Sequence, residues 1–132
     1  INNAIYGMTG GQMAPTTTLG QIATTAPAGR DQRRHGNPID ISRMLAVSDG
    51  VVYVERCALT TIKQIQKAKK AIKKAFQVQL DDLGFSLVEL LSPCPTNWKV
   101  SPKEAWKWVN EEMVKTYPLG LIKDTTGDED KK

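Results

Sequence analysis

Residues 51–59, VVYVERCAL, and residues 85–91, FSLVELL, decide the fold. Both stretches are rich in β-branched and apolar residues and lack strict alternation, which is typical of strands buried on both faces of a sheet. Between them, Thr61 and Gln64 form a capping box, and apolar residues then recur at helical spacing to about residue 78. This order of strand, helix and strand favours a parallel pair joined by a crossover helix.

Further elements flank this core on both sides. Residues 38–46 predict a short helix behind a proline, and residues 101–104, SPKE, begin another helix that ends at YPLG, residues 117–120. Residues 1–6 are interpreted as the end of a strand, and residues 7–37 as a long loop rich in Gly, Thr and Pro. The alternating order predicts an α/β fold with a largely parallel sheet and helices on both faces.

Length and composition indicate one compact domain. The chain has 132 residues, of which 40% are hydrophobic and 24% are charged. We expect the domain to cover residues 1–123 and the polar tail at residues 124–132 to be disordered. No apolar stretch approaches the ~20 residues that a membrane-spanning helix needs. With two cysteines and no signal-peptide pattern, a cytoplasmic protein is predicted.

The net charge of +4 is unevenly distributed, because Lys and Arg crowd residues 30–34 and 63–74. No aromatic or Gly-rich readout motif accompanies these basic residues, so nucleic-acid binding is not expected. One set of lysines recurs at helical spacing: Lys63, Lys67, Lys70 and Lys74. A solvated helix face is the simpler interpretation, and docking of an acidic protein is the alternative. His35, the only histidine, is interpreted as a surface-loop residue.

The first stretch with possible chemistry is NNAIYGMTGGQ at residues 2–12. Paired glycines let a backbone approach an anion closely, and neighbouring polar side chains can donate hydrogen bonds. The residues concerned are Thr9, Gly10, Gly11 and Gln12. Asn3 has a neutral oxygen suited to a hard cation such as Mg²⁺. On composition alone, an ordinary Gly-rich turn after a strand is the alternative.

The second stretch is SPCPTNW at residues 92–98. Cys94 lies between two prolines just after a strand, so its direction is fixed and it cannot continue a ladder. Such a thiolate suits a metal, although a small apolar residue at a strand end is the simpler alternative. Cys57 lies inside a predicted buried strand and is expected to be a core residue.

These stretches resemble one known family, the 2-oxoacid:ferredoxin oxidoreductases. Residues 2–17, NNAIYGMTGGQMAPTT, are similar to the thiamine-diphosphate and Mg²⁺ loop of that family. The likeness continues through residues 24–30, 51–59, 90–98 and 117–120, and covers nearly the whole chain apart from the tail. The fold that it implies is the carboxy-terminal part of a thiamine-diphosphate-binding domain.

The resemblance also implies roles for individual residues. Asn3 would give a side-chain oxygen to Mg²⁺, Ile5 its backbone carbonyl, and Cys94 the last of four thiolates around a [4Fe-4S] cluster. The residues that would line the diphosphate are Thr9, Gly10, Gly11 and Gln12. No side chain of this chain is expected to be catalytic, because the cofactor carries the chemistry.

The resemblance implies oxidative decarboxylation of a 2-oxoacid to an acyl-coenzyme A, with electrons passed to ferredoxin. The family's Gly-Asp-Gly and Cys-x-x-Cys motifs are absent from this sequence. We therefore expect the chain to be the carboxy-terminal half of the β subunit, completed by its amino-terminal half and joined by an α subunit. Alone, it is expected to be inactive and to hold no cluster.

Two alternatives stay open at this point. The chain could be a non-catalytic structural or interaction domain that keeps the fold without the chemistry. It could also belong to a thiamine enzyme that does not use ferredoxin, which the setting of Cys94 disfavours. Within the family, SPCPTNW resembles the branch that acts on 2-oxoglutarate or 2-oxoisovalerate.

Overall fold

The computed structural model describes residues 1–127, which form two compact units. The first unit consists of Ile1–Asp40 and Leu91–Pro118, and the second of Ile41–Leu90 and the described residues from Leu119 onward. Residues 128–132 of the predicted tail lie outside the described residues, and the domain boundary at residue 123 stays a prediction. In chain order the elements are α1 (Gln32–His35), α2 (Ile41–Ala46), β1 (Val51–Ala58), α3 (Ile62–Leu80), β2 (Phe85–Leu91), α4 (Pro95–Trp98), α5 (Pro102–Trp108), a π-helical turn (Val109–Met113), α6 (Val114–Thr116) and β3 (Gly120–Asp124).

The second unit contains the sheet, and its strands have the order β2-β1-β3. Strands β1 and β2 and helix α3 lie where the sequence predicted them, which confirms the α/β class. Strand β3 was not predicted, and it pairs with β1 in antiparallel orientation with a register shift between Val54 and Glu55. An antiparallel edge strand on an otherwise parallel sheet is common in α/β folds. Its five residues are too few to show a clear strand pattern.

The core of the second unit lies where α3 packs on the sheet. Cys57 of β1 is buried against Ala68 and Ala71 of α3, and apolar residues of β2 pack around them. The small alanine side chains let α3 approach the sheet closely, so a narrow apolar face is enough to pack the helix on the strands. β1 and β2 are also joined by a buried ion pair, since Arg56 Nε lies 2.6 Å from Glu89 Oε2.

Residues 1–6 do not form the predicted strand end. Asn2 makes a single parallel bridge with Leu91, and Tyr6 makes a single antiparallel bridge with Gln12. The predicted strand was too long. Asn2 Oδ1 accepts the Ala4 N–H at 2.9 Å, and Ala4 has a φ of 53°. This local turn bends the backbone out of the extended conformation.

The long loop of the first unit is ordered by a buried arginine. Arg30 is only 6% exposed, and its guanidinium donates to six backbone carbonyls. The acceptors are Ala14 (3.2 Å), Pro15 (2.7 Å) and Thr17 (2.9 Å) for Nη1, His35 (3.2 Å) and Asn37 (2.8 Å) for Nη2, and Gly36 (3.0 Å) for Nε. One side chain thus joins three carbonyls near residue 15 to three near residue 36.

Two hydroxyl groups extend this ordering. The buried Thr17 hydroxyl donates to the Ala4 carbonyl at 2.7 Å and accepts the Ala14 N–H at 2.8 Å. The Tyr117 hydroxyl, at the end of α6, donates to the Thr16 carbonyl at 2.7 Å. The loop is therefore held by side chains that satisfy backbone groups, rather than by a hydrophobic period.

Replacing Arg30 by lysine should destabilise the chain strongly. A lysine ammonium cannot reproduce the planar fork, so several buried carbonyls would lose their donors. We expect the free energy of unfolding to fall by at least about 3 kcal/mol. Urea denaturation followed by tryptophan fluorescence measures it, with the exposed Arg33→Lys as the matched control. Equal stability of the two variants would contradict this role of Arg30.

Candidate functional site

The paired glycines lie in a closed turn, which we call the glycine turn (residues 6–12). The Tyr6 N–H donates to the Gln12 carbonyl at 3.0 Å, and the Gly11 N–H donates to the Tyr6 carbonyl at 2.9 Å. Gly10 and Gly11 have φ values of 112° and 78°, a region that disfavours residues with a Cβ. The turn therefore requires glycine at both positions.

Side chains inside the glycine turn bond to the turn itself. The Thr9 hydroxyl donates to Gln12 Oε1 at 2.7 Å, and Gln12 Nε2 donates to the Thr9 carbonyl at 2.6 Å. Within residues 1–127, the backbone N–H groups of Met8, Thr9 and Gly10 donate to no other group. The turn thus has three consecutive free amides, and such amides bind anions where they converge in a backbone nest.

Asn3 has a fixed orientation beside the second candidate stretch. Its Nδ2 donates to the Ser92 carbonyl at 2.8 Å and approaches the Pro93 carbonyl at 3.4 Å. Since only the amide nitrogen can donate to a carbonyl, the oxygen must point away from both. Asn3 Oδ1 is therefore the atom that remains for a cation.

The backbone between Asn3 and Ile5 is strained. Ala4 is fully buried in the left-handed region, which costs roughly 1–2 kcal/mol for a residue with a Cβ. The hydrogen bonds from its N–H to Asn2 and from Thr17 to its carbonyl hold this conformation. The strain fixes the direction of the peptide that leads into Ile5, whose side chain is buried.

Cys94 lies directly against the glycine turn. It precedes α4, and its carbonyl accepts the Trp98 N–H at 3.0 Å. A Cβ on Gly7 would lie 2.9 Å from Cys94 Sγ, so the sulfur occupies the space beside that glycine. Cys94 and Trp98 pack on the same small apolar cluster as Ile5. The two stretches with possible chemistry therefore meet in one place.

Asn97 joins the same two stretches, and sequence reasoning missed it. Its Nδ2 donates to the Gly7 carbonyl at 2.8 Å and lies 3.4 Å from Cys94 Sγ. Gly7 was also missed. Its backbone has no positive φ, and glycine is needed there only because the Cys94 sulfur leaves no space for a Cβ. The spacing of three residues between Cys94 and Asn97, one helical turn, was the available signal.

The remaining candidates have other surroundings. Cys57 is 4% exposed and belongs to the core of the second unit, as expected. His35 is at the end of α1, and its Nδ1 accepts the Asp31 N–H at 2.9 Å. Most of the predicted lysine face of α3 is exposed, and Lys74 pairs with Asp124 of β3.

The site offers few groups that could bind a metal. No three His, Cys, Asp or Glu side chains gather anywhere in residues 1–127. Asn3 offers an amide oxygen and Cys94 a sulfur, so a metal bound here would need ligands beyond these two. Over the same described residues, no helix is long and apolar enough to cross a bilayer.

Comparison with known proteins places the chain among oxidoreductase subunits. It is 42% identical over 128 residues to ketoisovalerate oxidoreductase subunit VorA of Methanothermobacter marburgensis, covering 97% of this chain and 27% of the relative. It is 41% identical over 113 residues to 2-oxoglutarate synthase subunit KorB of Archaeoglobus fulgidus, covering 86% and 38%. It is 34% identical over 103 residues to the 2-oxoacid:ferredoxin oxidoreductase subunit beta of Saccharolobus solfataricus, covering 78% and 30%.

These matches confirm the resemblance found in the sequence. The chain belongs to the 2-oxoacid:ferredoxin oxidoreductase family, and it matches the carboxy-terminal part of these subunits. It spans only 27–38% of the length of the three relatives. No family model and no solved structure matches the chain.

Adding a methyl group at Gly7 should destabilise the first unit through a clash with the Cys94 sulfur. We expect Gly7→Ala to lower the free energy of unfolding by about 1–3 kcal/mol, as overpacking does. Chemical denaturation measures this, and Gly127→Ala is the control because nothing lies near that glycine. Removing the sulfur with Cys94→Ala should restore most of the loss, and no restoration would show that the clash is elsewhere.

The two thiols should differ sharply in reactivity. Burial, and then the Glu55 carboxylate, raise the pKa of Cys57 from 9.0 to about 11. The thiolate is the reactive form, so iodoacetamide near neutral pH should label the half-buried Cys94 and spare Cys57 in the folded chain. Peptide mapping by mass spectrometry measures this, with urea-unfolded chain as the control. Equal labelling of both thiols in the folded chain would contradict it.

The same shift gives a pH dependence of stability. Because the folded-state pKa of Cys57 lies above its ordinary value, the neutral thiol is the form that folding favours. Its contribution is complete below pH 9 and is lost as the pH rises through about 11. Cys57→Ala should therefore lose less stability over this interval than the unsubstituted chain, as measured by denaturation at each pH.

Proposed function

We propose that this chain supplies part of the thiamine-diphosphate, Mg²⁺ and [4Fe-4S] sites of a 2-oxoacid:ferredoxin oxidoreductase. The whole enzyme would oxidatively decarboxylate a 2-oxoacid to an acyl-coenzyme A and CO₂, and pass the electrons to ferredoxin. The observation that carries this proposal is the contact of the glycine turn with Cys94 and Asn97. For electrons to pass from thiamine diphosphate to the cluster, the two cofactors must lie close together. The residues that would hold them must then also be neighbours.

The glycine turn fits a diphosphate. Its free amides are those of Met8, Thr9 and Gly10, and no acidic residue lies within residues 6–12 to repel an anion. Since Thr9 and Gln12 bond to each other, their side chains would hold the shape of the turn, and the backbone would make the main contacts. Thiamine diphosphate supplies, when bound, the chemistry that separates the carbonyl carbon of the 2-oxoacid from its carboxylate.

Asn3 and Ile5 fit part of a Mg²⁺ site. Asn3 Oδ1 is turned away from the carbonyls that bind its nitrogen, and the strained Ala4 fixes the Ile5 peptide beside it. Mg²⁺ is usually bound by one or two carboxylates together with phosphate oxygens, and these two residues are neutral. We propose that the amino-terminal half of the β subunit supplies the carboxylate.

Cys94 fits one ligand position of a cubane cluster. A [4Fe-4S] cluster needs four thiolates, and Cys57 is packed against alanines in the core of the second unit. The other three cysteines would therefore also come from the amino-terminal half of the β subunit. Trp98 packs beside Cys94 and against Trp108, with ring centroids 4.6 Å apart, and would shield one side of the sulfur from water.

The proposed partners follow from this assignment. They are the amino-terminal half of the β subunit, the α subunit, ferredoxin and coenzyme A, in the cytoplasm, where two unpaired cysteines stay reduced. The exposed lysines of α3 would suit an acidic ferredoxin. Two of the relatives named above are a ketoisovalerate oxidoreductase subunit and a 2-oxoglutarate synthase subunit, and we propose a substrate of one of these two kinds.

Co-expression with the partner polypeptides should restore activity that the chain alone lacks. The complete assembly should reduce a viologen dye in the presence of a 2-oxoacid and coenzyme A, whereas the purified chain should show no such activity and no stoichiometric iron or acid-labile sulfide. An assembly that binds the partners yet holds neither cofactor would favour a non-catalytic interaction domain. Electron transfer to viologen without a cluster would favour a different thiamine enzyme.

Within the active assembly, Asn3→Ala should weaken Mg²⁺ and thiamine diphosphate binding by about tenfold or more, because a metal-ligand oxygen is lost. Isothermal titration calorimetry on the cofactor-free assembly measures the affinity. Asn37→Ala is the control, since that side chain is exposed in the loop. Equal affinities of the two variants would show that Asn3 is not a ligand of Mg²⁺.

A further inference from the structure

The carboxamide of Asn97 contacts three parts of the candidate site at once. One contact is to the Gly7 carbonyl at 2.8 Å and another is to Cys94 Sγ at 3.4 Å, both from Nδ2. On its other side, Oδ1 would lie 3.0 Å from a Cβ placed on Gly11. No motif assigned a role to this residue, although it touches both the glycine turn and the sulfur.

The two contacts of Nδ2 are compatible, because a carboxamide nitrogen has two protons. One proton serves the Gly7 carbonyl at an ordinary distance, and the other is directed at the larger sulfur atom. Gly7 itself can bring no side chain near the sulfur, since a Cβ there would collide with it. Asn97 is therefore the side chain that connects the sulfur to the turn.

The position of Asn97 is set by α4. The helix begins at Pro95, directly after Cys94, and ends with Lys99 in the left-handed conformation. Its four residues place Asn97 about one turn above the sulfur, and the short side chain has little freedom to move away. Thr96, the preceding residue, is exposed and points to neither group.

We propose that Asn97 is a positioning residue that couples the Cys94 sulfur to the glycine turn. This inference rests on the proposed function, in which Cys94 ligates a cluster and the turn holds a diphosphate. A hydrogen bond to a ligating sulfur stabilises the more negative, reduced cluster and so raises its reduction potential. The second bond of the same amide holds the Gly7 carbonyl, and with it the entry of the turn. Asn97 thus acts on both cofactors without contacting either reacting centre.

The test uses the assembled oxidoreductase with Asn97→Ala or Asn97→Asp in this chain. Both variants should shift the midpoint potential of one cluster to more negative values in a redox titration followed by electron paramagnetic resonance. Asn97→Asp should shift it further, because it adds negative charge as well as removing the donor. Both should also weaken thiamine diphosphate binding about tenfold by calorimetry, as loss of an outer-shell partner does. Thr96→Ala is the matched control and should change neither quantity.

The outcomes separate this inference from the proposed function. An unsubstituted assembly that holds no cluster and no thiamine diphosphate overturns the proposed function and the role of Asn97 with it. An unsubstituted assembly that holds both, with potentials unchanged in the variants, overturns the role of Asn97 alone. Weaker cofactor binding at an unchanged potential also overturns the coupling and leaves a purely structural role. If the Asn97→Ala chain does not assemble, the Asn97→Asp chain is tested by the same criteria, because aspartate has nearly the same size as asparagine.

Discussion

The buried guanidinium of Arg30 is the interaction on which the first unit depends. A loop of about thirty residues with little apolar content cannot be ordered by hydrophobic burial, and its backbone groups still need partners. Arg30 supplies donors to six carbonyls from both ends of that loop. Thr17 accepts the N–H of one of these residues, Ala14, and donates to Ala4, so the order imposed by Arg30 reaches the start of the candidate site. A further bond, from the Thr24 N–H to the Gly11 carbonyl at 2.8 Å, ties the loop to the glycine turn.

The site built on this loop is tight where the two stretches meet. Gly7 has no room for a methyl group beside the Cys94 sulfur, and Ala4 is held in a conformation that a residue with a Cβ disfavours. The strain at Ala4 costs stability, so the surrounding hydrogen bonds must offset it. Strain and close contact concentrated at one place are typical of a functional site, and here they lie beside Asn3, Ile5 and Cys94.

Local signals explain what the sequence could predict. β1 and β2 were evident because they are apolar and short, and α3 because Thr61 caps it and its period continues for 19 residues. β3 was missed, since a strand of five residues is defined by its partner, Val51–Ala58, and not by its own pattern. Residue type marked the two candidate stretches, and the family resemblance supplied the predicted role of each residue. The link through Asn97 was not found, because it depends on a contact between residues 90 positions apart.

The internal bonds of the site also determine what it can bind alone. Thr9 and Gln12 satisfy each other, and the nitrogen of Asn3 is bonded to the Ser92 carbonyl, so the folded chain leaves these side chains few unsatisfied groups. What remains available is a set of neutral donors and acceptors: backbone amides for an anion and one amide oxygen for a cation. Neutral groups can orient a diphosphate and its magnesium, but they cannot balance the cation's charge as a carboxylate does. In the proposed enzyme, this chain would therefore supply the shape of the site, and charged residues outside these stretches would supply much of the affinity.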